Sequence, residues 1–155
     1  MATEIERKFL VCSDQWRPGA NAGTAYRQGY LSSAPSCSVR VRIGNGQARL
    51  NIKSATLGVQ RQEYEYPIPL EDGNELLDTL REGPLIEKTR YLVPYGDHVW
   101  EVDVFEGDNA GLIVAEIELS REDEPFERPP WIGDEVSDDP RYYNVSLVRH
   151  PYRDW

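Results

Sequence analysis

Two kinds of chemistry-bearing side chain recur through this 155-residue sequence at every second position. Carboxylates come as Glu4 with Glu6, Glu63 with Glu65, Glu101 with Asp103, and Glu116 with Glu118. Cations come as Arg40 with Arg42 and Lys88 with Arg90, while Lys8, Lys53 and Arg61 stand singly. A spacing of two puts both members of a pair on one face of an extended strand. Like charges so close on one face are mildly destabilising unless something neutralises them. Paired carboxylates call for a hard divalent cation with oxygen ligands, and paired cations call for a polyanion. The chemistry that needs both is phosphoryl transfer to water. Mg2+ or Mn2+ would sit on carboxylates drawn from Glu4, Glu6, Glu63, Asp103, Glu116 and Glu118, with substrate phosphates completing the shell. Lys and Arg on facing strands would neutralise the polyphosphate and the charge of the transition state. Two metals would divide the labour, one on the phosphates and one lowering the pKa of an attacking water.

These residues need elements that bring them together. On a single strand, Glu4, Glu6 and Lys8 opposite Ile5 and Phe9 describe an ordinary antiparallel sheet with one solvated face. Recurrence of the pattern on strand after strand argues for the opposite arrangement: a closed sheet with the charges inside and the apolar face packed under outer helices. Strands are expected over 4–11, 25–31, 38–43, the return after Gly44-Asn45-Gly46, 61–66, 86–93, 99–105 and 112–120, about eight in all. Gly44-Asn45-Gly46 is a hairpin signal, because Gly and Asn accept the positive φ of tight turns. Ser13 to Gly23 and Thr56 to Val59 read as loops. Leu76, Leu77 and Leu80 at helical spacing predict an amphipathic helix over 71–81, stopped by Gly83-Pro84. Arg121 to Pro130 reads as a short helix and a loop, Trp131-Ile132 as apolar packing, and Pro140 to Val148 as a final helix closing one end. The fold class expected is α+β: a closed or nearly closed eight-stranded antiparallel β-barrel with a few outer helices and a C-terminal closing helix.

The net charge of −10 argues against nucleic acid or an anionic membrane as partner, since either favours an excess of Lys and Arg. An anion site must then be a local basic pocket. No apolar run approaches the ~20 residues that span a bilayer. Cys12 and Cys37 carry no metal or redox spacing and the N-terminal residues show no signal pattern, so a cytoplasmic setting is expected. The length suits a single domain over 1–155. His98 and His150 lack partners at ligand spacing. Trp16, Trp100 and Trp131 read as packing, and Glu122 to Glu127 as a solvated surface.

The opening EIERKFLV resembles the Glu-x-Glu-x-Lys signature of the CYTH superfamily, the triphosphate tunnel metalloenzymes. RQGY (27–30), RVR (40–42), IKS (52–54), RQEYEY (61–66), EKTRY (87–91), EVDVFEG (101–107), AEIEL (115–119) and RYYN (141–144) follow in the family's order. The likeness spans nearly the whole chain and is greatest to short bacterial members that hydrolyse inorganic tripolyphosphate to pyrophosphate and orthophosphate. It implies metal binding by the two Glu-x-Glu motifs with Asp103, and triphosphate binding by Lys8, Arg27, Arg40, Arg42, Lys53, Arg61, Lys88 and Arg90. It departs where several members carry a Lys in the closing helix, since this chain has Tyr142, Tyr143, Asn144 and Val145. Glu6, Lys88 and Tyr30 are the catalytic candidates. Lys88, among other cations in a partly dry site, is either a general base whose water Tyr30 orients or a plain phosphate clamp, with the metal alone activating the water. Thiamine triphosphatase and class IV adenylate cyclase activity use the same scaffold, and a non-catalytic polyphosphate- or nucleotide-binding module is the rival from another class. The expected partner is a small polyphosphate, with a homodimer left open.

Overall fold

The computed structural model describes residues 3–55 and 58–155. Strands β1 (Thr3–Val11), β2 (Thr24–Ser33), β3 (Cys37–Gly44), β4 (Gln47–Ser54) and β5 (Gln60–Ile68) precede helix α1 (Leu70–Thr79). They are followed by β6 (Glu82–Tyr95), β7 (His98–Phe105), β8 (Ile113–Glu118), β9 (Ile132–Glu135) and helix α2 (Asn144–Arg149). The sheet runs β5-β4-β3-β2-β6-β7-β8-β1-β9, and β5 also pairs with β1. Eight strands therefore close into an antiparallel barrel, with β9 a ninth strand added along β1. Closure rests on the register Thr3 to Gln62, Glu4 to Arg61 and Ile5 to Gln60. Glu6 faces Glu118 and Lys8 faces Glu116 across the β1–β8 pair.

The β3–β4 hairpin forms where the sequence signals it. Asn45 and Gly46 take φ of 53° and 68°, the two positive angles that a turn matching strand twist needs. Helix α1 lies against β2, β3 and β4. It approaches so closely at Gly73 that an added Cβ would stand 2.5 Å from the Ala48 side chain. α1 ends at Thr79, before the expected stop, and Gly83-Pro84 lies inside β6 instead. The strand absorbs them by a bulge: Gln28 pairs with Ile86 but Tyr30 with Glu82, so extra residues on β6 accommodate a positive-φ glycine and a proline without N–H.

Two apolar clusters frame the barrel. Phe9, Trp16, Val93, Trp100, Val102, Ala115, Ile117, Leu119 and Trp131 form an outer core over β1, β6, β7 and β8. Phe9 meets Trp100 edge-on at 5.5 Å, and Trp100 meets Trp131 at 5.9 Å. The expected cover of helices is absent on this side. Trp16 from the 13–23 loop and Phe126 and Trp131 from the 121–131 segment take its place. That segment contains no helix, and Pro125, Pro129 and Pro130 explain why. The second cluster, Ile86, Phe105, Leu112, Val114 and Leu147, floors one end of the barrel, with Leu147 of α2 fully buried. The closing helix thus sits where the sequence places it, though the tail begins with a 3-10 turn over Pro140–Tyr142. Of the expected loop at 56–59, Thr56 and Leu57 lie outside the described residues. Among the described residues no helix is long and apolar enough to cross a membrane.

Candidate active site

Period-two alternation puts one set of side chains from each barrel strand inside. They line a cavity of about 210 Å³. Of the residues singled out from the sequence, Glu4, Glu6, Lys8, Tyr30, Arg40, Arg42, Lys53, Arg61, Glu63, Lys88, Arg90, Glu116 and Glu118 are on its wall. Arg27 is not. It lies on the opposite face of β2 and donates to Asn74 on α1, so the structure gives it no place at the cavity. Asp103 points inward but lies behind the wall, 1% exposed.

The acidic side is built from β1, β5 and β8. Lys53 stands 3.0 Å from Glu4 and 3.3 Å from Glu63. Glu6 contacts the carboxyls of both Glu4 and Glu116, and Lys8 reaches Glu116 at 3.6 Å. Burial, reinforced by the Glu6 charge, pushes the Glu4 carboxyl up to about 8. Burial works the same way on Glu6, but Lys53 and Lys8 outweigh it and hold that carboxyl at about 2. Burial and then Glu6 raise Glu118. Carboxyl against carboxyl needs either a shared proton or a cation. The donor set is all hard oxygen, which fits Mg2+ or Mn2+. Among the described residues no three such groups converge closely enough to form a ready-made cage. Mg2+ does not require one, because it is usually held by one or two carboxylates plus substrate phosphates.

The basic side is organised by Asp103. Arg90 clamps it with Nε at 2.8 Å from Oδ1 and Nη2 at 3.0 Å from Oδ2, and Lys88 Nζ donates to Oδ2 at 2.7 Å. Both Asp103 oxygens are paired with cations in this structure. Burial alone would raise it, but Arg90 and Lys88 keep it below the usual carboxylate range. Arg90 also holds Glu101 at 2.6 Å. Burial brings the Lys88 ammonium down to about 8 despite the opposing pull of Asp103. Burial, with Arg40 next, likewise lowers Arg42, which lies over the Tyr26 ring at 4.5 Å. The Nε groups of Arg40 and Arg61 are buried without a hydrogen-bond partner among the described residues. Both residues line the cavity, and guanidinium groups with unsatisfied N–H donors suit phosphate oxygens.

A family model for the CYTH domain matches residues 2–152. The chain belongs to the CYTH family. It is 47% identical to an inorganic triphosphatase of Acetivibrio thermocellus over 155 residues, covering all of this chain and 99% of that one. It is 40% identical to an inorganic triphosphatase of Nitrosomonas europaea over 150 residues, covering 94% of this chain and 97% of that one. The crystal structure of an inorganic triphosphatase superposes with a TM-score of 0.69 at 37% identity, covering 96% and 95%. A Pyrococcus horikoshii protein at 18% identity and TM-score 0.62 shares the fold.

In this CYTH barrel the wall also includes Glu65 and Glu101, inward as the charge pairing predicts though with no metal role assigned to them, and Ser38, Asn51, Tyr143, Asn144 and Val145, which no charge pairing marks. Ser38 and Asn51 occupy the same inward registers without a charge to mark them. Tyr143 and Asn144 come from the tail, where no periodicity signals an inward face. Tyr143 donates to the Ser137 carbonyl at 2.6 Å and lays its ring under Arg61 at 4.5 Å. Arg141 pairs outward with Asp139 at 2.7 Å. His98 bonds Glu124 on the surface, which agrees with a structural role.

Proposed function

We propose that this CYTH chain hydrolyses inorganic tripolyphosphate to pyrophosphate and orthophosphate inside its barrel, with Mg2+ or Mn2+ as cofactor. The observation that carries the reading is the cavity's division: buried, partnerless guanidinium N–H groups of Arg40 and Arg61 on one side, and a carboxylate cluster of Glu4, Glu6, Glu116 and Glu118 on the other. The relatives named inorganic triphosphatase support the same substrate class.

Arg40, Arg42 and Arg61 bind phosphate oxygens, Arg pairing with them bidentately. Lys8, Lys53 and Arg90 stay tied to carboxylates and set the field around the substrate. Glu4, Glu6, Glu116 and Glu118, with Glu63 behind Lys53, would hold the cation. When bound, the cation neutralises phosphate oxygens and acidifies water. Lys88 has three N–H donors and gives two to Asp103 and Asn144, leaving one for the cavity. Near neutral pH the ammonium can lose a proton, so Lys88 can take one from the attacking water, while Tyr30, which lines the same cavity from the neighbouring strand, orients that water. With free Cys12 and Cys37, a reducing, cytoplasmic setting suits the chain. Phosphate release from tripolyphosphate, thiamine triphosphate and ATP, each with and without Mg2+, tests the reading. Tripolyphosphate should be cleaved fastest and only with the cation. Preference for either organic triphosphate overturns the substrate, and binding without release points to a non-catalytic module.

A further inference from the structure

We infer that Asn144, the first residue of α2, is a positioning residue that fixes the Lys88 ammonium in the cavity; the inference rests on the proposed hydrolysis at that site. Lys88 Nζ has only two protein oxygen partners among the described residues, Asp103 Oδ2 at 2.7 Å and Asn144 Oδ1 at 3.1 Å. An ammonium only donates, so the Asn144 amide must turn its oxygen toward Lys88. The same oxygen accepts from Gln28 Nε2 at 3.0 Å. That fixes the second amide too, because Gln28 must then present its nitrogen. Gln28 on β2 is completely buried, and its Oε1 has no hydrogen-bond partner among the described residues. Burying an amide with an unsatisfied carbonyl is costly, and here the orientation that leaves it so is the one that holds Asn144.

The consequence is a defined place for a flexible side chain. With Asp103 alone, Lys88 could swing on its four-carbon stem toward Arg90's side of the carboxylate. A second oxygen from a different element limits it to one direction. Leu147, fully buried in the barrel floor, anchors α2 and hence Asn144. The Asn144 amide nitrogen has no protein acceptor among the described residues, and the residue lines the cavity, which leaves this nitrogen available to a ligand there.

Three variants of the full chain separate positioning from folding. Asn144→Leu keeps the volume and removes the oxygen: kcat for tripolyphosphate should fall about 10- to 100-fold, with KM within about threefold. Asn144→Asp keeps an oxygen for Lys88 and Gln28 but sets a carboxylate against the ammonium and beside the phosphates: the pH at which kcat reaches its plateau should rise, the plateau kcat should stay within about fivefold of native, and KM should rise about tenfold. Native kcat in Asn144→Leu, or equal loss of plateau kcat in the Leu and Asp variants, overturns the inference. If Asn144→Leu does not fold, Asn144→Ser, whose hydroxyl is too short to reach Lys88, should lose plateau kcat where Asn144→Asp does not, and the reverse order overturns it. A readout independent of turnover is the 15N resonance of the Lys88 ammonium. It should shift in Asn144→Ser, and an unmoved line in Asn144→Ser overturns the inference even if the native chain releases no phosphate, a result that would separately remove the hydrolase reading.

Discussion

The inner and outer faces of β1 are built from consecutive residues and obey opposite rules. Lys8, 6% exposed, faces a cavity walled by charges, while Phe9, 0% exposed, sits in a dry aromatic cluster. Inside, charge is set against charge with little apolar contact, and carboxyls are pushed both above and below their ordinary range. Outside, Phe9, Trp100 and Trp131 pack edge to face in the geometry aromatic rings prefer. A barrel normally fills its interior with apolar side chains. Here the apolar material is moved to the outer surface and the floor, and loops bearing Trp16, Phe126 and Trp131 cover it. That displacement lets the interior remain electrostatically unsatisfied until a cation and a polyanion arrive.

Interior substitutions should change kinetics and exterior ones stability. Lys88→Arg keeps the charge and removes the labile proton, so kcat should fall about 100- to 10,000-fold with KM little changed if Lys88 is the base. Near-native kcat would leave Lys88 a clamp. Arg40→Ala should cost about 100- to 1,000-fold in kcat/KM at an unchanged Tm, because the Arg40 Nε has no partner to lose. Loss of stability with intact kinetics would make it a structural residue. Trp100→Ala is the mirror image, with about 3–5 kcal/mol lost and a Tm lower by roughly 6–20 °C, yet near-native KM in the chain that remains folded.

The smallest effect is on pH and melting. Glu4 is raised from 4.5 to about 8 in the folded chain, so its contribution to stability is full below pH 4.5 and is lost as pH rises toward 8. Glu6, lowered to about 2, contributes above pH 4.5 and loses its share as pH falls toward 2. Lys88, lowered from 10.5 to about 8, adds stability only as pH rises from 8 to 10.5. A cation on Glu4 competes with its proton, so the Tm gain from Mg2+ should be a few degrees larger at pH 8 than at pH 5. An equal gain at both would remove Glu4 from the ligand set.

The barrel was legible because alternation of charged and apolar residues survives on most of its strands, and because Asn45-Gly46 names its own turn. β9 was not: Ile132–Glu135 is four residues with a glycine and no alternation. Arg27 shows the limit of family likeness. Its register, out of phase with Tyr30, set it on the outer face of β2, and the structure finds it there beside Asn74. Asp103 had the right phase, but nothing in a sequence tells whether an inward carboxylate meets a metal or a guanidinium. Asn144 and Tyr143 reach the cavity only because α2 seats Leu147 in the floor, a packing event with no local signature.

On the proposed reading, the acidic side of the cavity holds a catalytic cation. Glu6→Gln tests it most directly, because the shape is kept and the charge between Glu4 and Glu116 is lost. Tripolyphosphate hydrolysis by native and variant chains across an Mg2+ titration, with Tm checked alongside, is the measurement. The expected result is a folded variant whose half-saturating Mg2+ rises about 10- to 100-fold or whose rate never reaches the native plateau; native hydrolysis by Glu6→Gln at limiting Mg2+ would take Glu6 out of any cation site.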